Sequence, residues 1–281
     1  MKFTIIDVIN VIGAILIAAI VIFAGYNLFF DKPFYKAASY KSEGNSFSAD
    51  PVMIESENNI KELYISNVSG KILIEGYSGD TVKAEYIITG TGRRPEVMVD
   101  YSGSSMIIKT VRAPGSGNFC HVDFNIKVPE KISYVEAKSI SGSISAAGLA
   151  ETRQKLSTTS GSIRTDASAN LDIKSISGSV KFASRGDQIY AKTTSGRIEG
   201  ALTKVQNSGM IDMDSVSGSV KIALPEGINA SVDIRSVSGS ISSDFPVSVT
   251  NSRRNTLKGN IGNGGTEIKI RTTSGRIKLE K

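Results

Sequence analysis

The stretch Ser215-Val216-Ser217-Gly218-Ser219-Val220 decides how this chain is read, because its pattern keeps returning. The pattern is a hydroxyl residue, a β-branched residue, Ser-Gly, a short or basic residue, then Ile or Val. It recurs as Ser139-Ile140-Ser141-Gly142-Ser143-Ile144, Thr158-Thr159-Ser160-Gly161-Ser162-Ile163, Ser175-Ile176-Ser177-Gly178-Ser179-Val180 and Thr193-Thr194-Ser195-Gly196-Arg197-Ile198. Two later copies are Ser236-Val237-Ser238-Gly239-Ser240-Ile241 and Thr272-Thr273-Ser274-Gly275-Arg276-Ile277, and an eighth, around Ser69-Gly70, stands far upstream. From Gly142 to Gly239 the glycines fall 19, 17, 18, 22 and 21 residues apart; the last step, to Gly275, is 36, about two periods. A fixed period of this length marks a repeat array.

Each copy has two faces. Ile173 and Ser175, Met213 and Ser215, and Ile234 and Ser236 share one; Lys174 and Ile176, Asp214 and Val216, and Arg235 and Val237 share the other, the strand period of two. After the Ser-Gly the apolar residues Val180 and Phe182, or Val220 and Ile222, lie on the opposite parity. A slip of one residue turns every side chain over unless the backbone bends, so Ser-Gly marks a corner, where glycine supplies a positive φ. The hydroxyl residue before each bend then faces inward, stacked coil upon coil about 4.8 Å apart. The expected fold is all-β: a β-solenoid of short parallel strands with its turn glycines along one edge.

The outward position four residues before each glycine reads Lys138, Ser157, Lys174, Lys192, Asp214, Arg235, Arg271, and two residues earlier Glu136, Lys155, Asp172, Tyr190, Asp212, Asp233, Lys269. Glu136 with Lys138, Asp172 with Lys174, and Asp233 with Arg235 are expected as exposed ion pairs, each worth about 0 to 1 kcal/mol. Functionally, Lys138, Lys174, Lys192, Arg235 and Arg271 are candidates for a face that binds a glycan or an anionic envelope polymer. The plainer reading is a solvated exterior whose charges suppress edge-to-edge aggregation.

Residues 1–31 differ from the rest. From Val8 to Phe30 no residue is charged, and a helix of that length measures about 35 Å, enough to span a bilayer. Phe29, Phe30, Phe34 and Tyr35 would make an aromatic belt at the far interface. An uncleaved signal-anchor is expected; the rival is a cleaved signal peptide with Ile22 and Ala24 at the cut. A lipoprotein signal does not fit, because the one cysteine is Cys120. Lys32, Lys36 and Lys41 argue by the positive-inside rule against an outside location for the C-terminal part, whereas an extended hydroxyl-rich β-array belongs to surface proteins, and an extracytoplasmic domain is expected. Residues 32–59 read as a polar linker and 60–281 as the β-domain, with 60–133 its less regular, capping part and 134–281 its regular repeats.

A hydrophobic share of 40% and a charged share of 21% are those of a folded chain and exclude a disordered stalk. One cysteine leaves no internal disulfide. The net charge of +6 is spread among acids without stacking aromatics, so no nucleic acid is expected. The sole histidine, His121, follows Cys120, and neighbours on a strand point to opposite faces, which keeps them from acting as a nucleophile-base pair. No G-x-S-x-G, H-E-x-x-H, Walker or dinucleotide motif is present, so no cofactor and no enzymatic activity are expected. One alternative is an acidic constellation: Asp212 and Asp214 on one strand with Asp233 on the next coil, a candidate Ca²⁺ site or the acid and base of a polysaccharide lyase or hydrolase.

With these repeats, the Val128-Pro129-Glu130 and Leu224-Pro225-Glu226-Gly227 lead-ins and Phe245-Pro246 after the last regular copy, the chain resembles, over roughly residues 60 to 281, the bacterial putative-adhesin family, a domain of unknown function. The resemblance implies a right-handed parallel β-helix-like solenoid, a cell-envelope location and no known enzymatic activity, and it carries over no catalytic or binding residues. The expected function is that of a membrane-anchored, non-enzymatic envelope protein binding a polymer, another cell or a partner. A second possibility is a structural or regulatory partner of other membrane proteins, acting through the anchor.

Overall fold

A computed structural model of the chain describes residues 47–56, 59–91, 93–111, 120–203, 208–253 and 255–281. All lie within one compact unit, Ala37–Lys281. The expected anchor, 1–31, lies outside the described residues. Among those described, no helix is long and apolar enough to cross a membrane.

The described chain is all-β. Its irregular first part holds β1 (Phe47–Ser48), β2 (Val52–Glu55), β3 (Glu62–Ser69), β4 (Ile72–Tyr77), β5 (Lys83–Gly90), β6 (Glu96–Ser102), β7 (Ser105–Val111) and β8 (Cys120–Pro129). The repeats come next as β9 (Tyr134–Ser141), β10 (Ile144–Ala147), β11 (Arg153–Ser160), β12 (Ile163–Ser177), β13 (Val180–Ser195), β14 (Ile198–Leu202), β15 (Met210–Ser217), β16 (Val220–Ala223), β17 (Ala230–Ser238) and β18 (Ile241–Ser243). The last four are β19 (Ser248–Arg253), β20 (Thr256–Ile261), β21 (Thr266–Ser274) and β22 (Ile277–Glu280). Because β1 and β2 pair antiparallel with β5, the folded domain reaches back into the stretch read from sequence as linker.

The strands form two walls joined at the Ser-Gly corners. The segments before the corners stack in parallel as β7, β3, β9, β11, β12, β13, β15, β21, β17. The segments after them stack as β8, β4, β10, β12, β13, β14, β16, β22, β18. Antiparallel strands close the ends: β6 on β7, β5 on β8, and β20 with β19 on β17. Each hairpin gives the terminal rung a partner that its own repeat cannot supply, which blunts an open edge.

Burial follows the predicted alternation. In β15 Ile211, Met213 and Ser215 are buried while Asp212 and Asp214 face outward; beyond the corner Val220 and Ile222 are buried. A continuous core of Ile, Val and Leu runs between the walls, with Phe124 and Phe182 as its largest fully buried members. Each fully buried aliphatic side chain contributes roughly 1.5 to 3 kcal/mol. The Phe182 ring needs Gly200 on the next rung, where a Cβ would meet its Cζ at 2.6 Å.

The glycines do line one edge, but mostly not for the expected reason. Gly70, Gly161 and Gly275 have positive φ (+111°, +156° and +159°), whereas Gly142, Gly178, Gly196, Gly218 and Gly239 lie outside the left-handed region. What demands glycine is close approach: a Cβ at Gly142, Gly161, Gly178, Gly196 and Gly218 would stand 1.9 to 2.1 Å from the carbonyl oxygen of the glycine one rung before. The inward hydroxyls are buried as predicted, from Ser139 to Thr272. Thr158 donates to Gly142 O at 3.2 Å and Thr272 to Gly218 O at 3.4 Å, while the hydroxyls of Ser139, Ser175, Thr193 and Ser215 have no partner among the described residues.

The structure corrects the order of the last coils. β21 lies between β15 and β17, so the Gly275 rung is inserted between those of Gly218 and Gly239. The 36-residue step is therefore one coil plus the β19–β20 hairpin, followed by a return into the stack.

Candidate functional site

Outward-facing side chains form in-register columns on each wall, because parallel pairing without register shift places equivalent residues side by side, about 4.8 Å apart. On the first wall all three expected pairs are present: Lys138 with Glu136 at 2.5 Å, Lys174 with Asp172 at 3.3 Å and Arg235 with Asp233 at 2.7 Å. Lys192 meets Asp214 at 3.1 Å, and Arg271 clamps Asp212 at 2.6 Å and Asp214 at 2.7 Å. Every cation of the candidate polymer face thus has a carboxylate on the same wall. An incoming anion there would have to displace a local one.

Burial alone would push the Asp214 carboxyl up, but hydrogen bonds from Arg271 and Lys192, with their charges, hold it below the ordinary aspartate range. Glu136 behaves alike: burial opposes its ionisation, and Lys138, Tyr134 and Lys155 outweigh that. Tyr134 donates to Glu136 at 2.7 Å and Tyr64 to Glu62 at 2.9 Å, and the two rings lie 5.5 Å apart. Burial, then the neighbouring Glu136 carboxylate, keep the Tyr134 phenol protonated far above its usual value.

The acidic constellation does not assemble. Asp212 and Asp233 each pair with Lys269 from opposite sides, so one whole strand separates them, and Arg271 on that strand takes the charge of Asp212 and Asp214. Among the described residues no group of three His, Cys, Asp or Glu side chains is placed to hold a metal ion. Cys120 and His121 face apart as expected: the thiol donates to Thr91 O at 3.4 Å, and His121 Nδ1 lies 2.8 Å from Ser69 Oγ in a hydrogen bond.

The second wall carries the columns that the sequence reading passed over, namely the residues one and three beyond each turn glycine. Arg164, Lys181, Lys221 and Lys278 stand in one column with Glu199 between the second and third; Arg197 and Arg276 lie two residues before Glu199 and Lys278, at the corner just ahead of β14 and β22. Glu199 is shared by Lys181 at 4.0 Å and Arg197 at 3.3 Å, and Glu280 by Lys221 at 2.7 Å and Lys278 at 2.8 Å. Arg164 and Arg276 are exposed and have no carboxylate partner among the described residues. Bases therefore outnumber acids here, whereas on the first wall each candidate cation is matched. For Arg197 and Arg276 the signal was present in the "short or basic" position of the repeat, and for the other bases two residues beyond it, but the wall on which they fall was not.

No curated protein matches the chain. Among solved structures, a "putative cell adhesion protein" from Clostridium sporogenes is 15% identical with a TM-score of 0.39, the match covering 84% of this chain and 99% of that one. A "putative adhesin" from Bacteroides fragilis is 11% identical with a TM-score of 0.43, covering 82% and 97%. A "putative lipid binding protein" from Parabacteroides distasonis is 12% identical with a TM-score of 0.30, covering 83% and 97%. The profile of a family described as Toastrack DUF4097 matches residues 51–280, nearly the whole described domain. The chain belongs to the Toastrack DUF4097 family.

Proposed function

We propose that this is a non-enzymatic protein of the bacterial cell envelope, held in the membrane by residues 1–31, whose right-handed β-solenoid presents an extended surface outside the cytoplasm to a polymer or to another cell. The observation that carries this reading is the in-register outer columns, which set polar and charged side chains on successive rungs about 4.8 Å apart. A surface that repeats along one axis complements a ligand that repeats along its own, and each further rung adds a contact without a new binding geometry. The separation of Asp212 from Asp233 by β21, with Arg271 on Asp214, weighs against the lyase or hydrolase alternative.

The test is retention of the full-length chain, in non-ionic detergent, on intact cells and on immobilised envelope polymers, together with protease accessibility of the C-terminal domain on living cells. Retention and cleavage from outside are expected. Failure to be retained by any of these surfaces, or protection of the domain until the cells are opened, overturns the reading.

A further inference from the structure

We propose that the outer face of the second wall, from Arg164 to Lys278, binds a linear phosphodiester polymer without bases, lying along the stack axis; this rests on the polymer-binding reading above and assigns its surface and ligand. Five successive rungs each present at least one cation: Arg164 on β12, Lys181 on β13, Arg197 just before β14, Lys221 on β16, and Arg276 just before β22 with Lys278 on it. The arginines fall on alternate rungs, about 10 Å apart. A guanidinium fork spans two oxygens of one oxyanion, so the arrangement matches charges repeating along a chain.

The strip beside the cations is shallow. Ala183, Ala201 and Ala223 pair rung to rung on one side, ending against Glu280, and Ser162, Ser179 and Ser219 share the corner side with Arg197 and Arg276. Short side chains leave room for a polymer backbone to settle against the wall, with apolar methyls beneath its carbon units and hydroxyls at its flank. The charge balance selects an anion: among the described residues Arg164 and Arg276 lack a carboxylate, Glu199 and Glu280 are each divided between two bases, and the one further acid paired there is Asp244, 3.9 Å from Lys278. A carboxylate polymer offers only the group that Glu199 and Glu280 already supply, whereas a phosphodiester brings a different oxyanion that the guanidinium fork also spans. From Ser143 to Asp244 the outward positions of this wall carry no aromatic side chain, so nothing there stacks on a nucleobase, and nucleic acid is disfavoured.

The experiment measures binding of the full-length chain in non-ionic detergent to fluorescent poly(glycerol phosphate), polygalacturonate and oligo(dT) over a salt series. Poly(glycerol phosphate) is expected to bind tightest. At about 0.15 M salt each contact to a single-stranded polyanion contributes roughly 0.6 log units, so Arg164→Gln with Arg276→Gln is expected to weaken binding about tenfold and to flatten the log-log salt slope by about 1.4. Lys174→Gln with Arg235→Gln, on the first wall, is expected to leave both unchanged. Tighter binding of oligo(dT), equal binding of polygalacturonate, or loss in the first-wall variant but not the second overturns the inference. Retention on cells without affinity for poly(glycerol phosphate) overturns it too while sparing the broader function; absence of both overturns both.

Discussion

Replacing Gly178 by alanine tests the central packing claim. The new Cβ would lie 1.9 Å from Gly161 O, more than an ångström inside the closest approach that real Cβ atoms show. The obstacle is backbone, so no side chain can swing aside, and the two rungs must part at the corner. Parting strains Gly161 N–H to Ser177 O at 3.2 Å and Ile163 N–H to Ser179 O at 2.9 Å. Overpacking costs about 1 to 3 kcal/mol and two weakened hydrogen bonds about 1 kcal/mol each, so a loss of roughly 3 to 5 kcal/mol is expected. Gly103→Ala is the control: its φ is +60°, yet nothing lies within 4 Å of the added Cβ. Left-handed backbone alone costs an alanine about 1 to 2 kcal/mol. The assay is equilibrium urea unfolding of the full-length chain monitored by far-ultraviolet circular dichroism. If Gly178→Ala costs no more than Gly103→Ala, the corner glycines are not a steric column and the reasoning fails.

The buried hydroxyls separate partnered from unpartnered positions: Thr158→Val, which removes the bond to Gly142 O, is expected to lose about 1 kcal/mol in the same assay, and Ser175→Ala, with no bond to lose, none. Glu136 and Asp214 titrate below their ordinary values of 4.5 and 3.8, so below those values the native state binds fewer protons than the unfolded one. Their contribution is complete above about pH 4.5 and is lost as pH falls through the lower native values; thermal unfolding should therefore drop on acidification below 4.5, less steeply in Glu136→Gln. Deleting Thr266–Lys281 removes an internal rung and leaves β15 and β17 without a common neighbour, so loss of cooperative unfolding is expected and not the modest loss of a frayed end. Millimolar calcium is expected to leave the melting temperature unchanged, because Arg271 already neutralises Asp212 and Asp214.

Ser-Gly spacing and the parity switch between Ser215 and Val220 sufficed to read all-β coils, an inward hydroxyl column and the outer pairs Glu136–Lys138, Asp172–Lys174 and Asp233–Arg235. These are local consequences: strand period sets the face, and two residues apart on one strand are neighbours in any fold. The order in which coils stack is not local. Nothing near Thr272 states that its strand enters between β15 and β17, because parallel rungs with equivalent edges accept one another in any order until hairpin β19–β20 covers the far side of β17. That order broke the acidic trio and placed Arg271 on Asp214.

Tertiary structure also decided why glycine stands at the corners and which wall carries surplus charge. The repeat named the residue, but only stacking shows that the carbonyl of the rung before occupies the space of a Cβ. Likewise the sequence contains Arg164 and Arg276 as plainly as Lys174, yet whether a cation is matched depends on carboxylates brought beside it by rungs distant along the chain. Periodicity is written in each segment; adjacency between segments arises only when the coils close against one another.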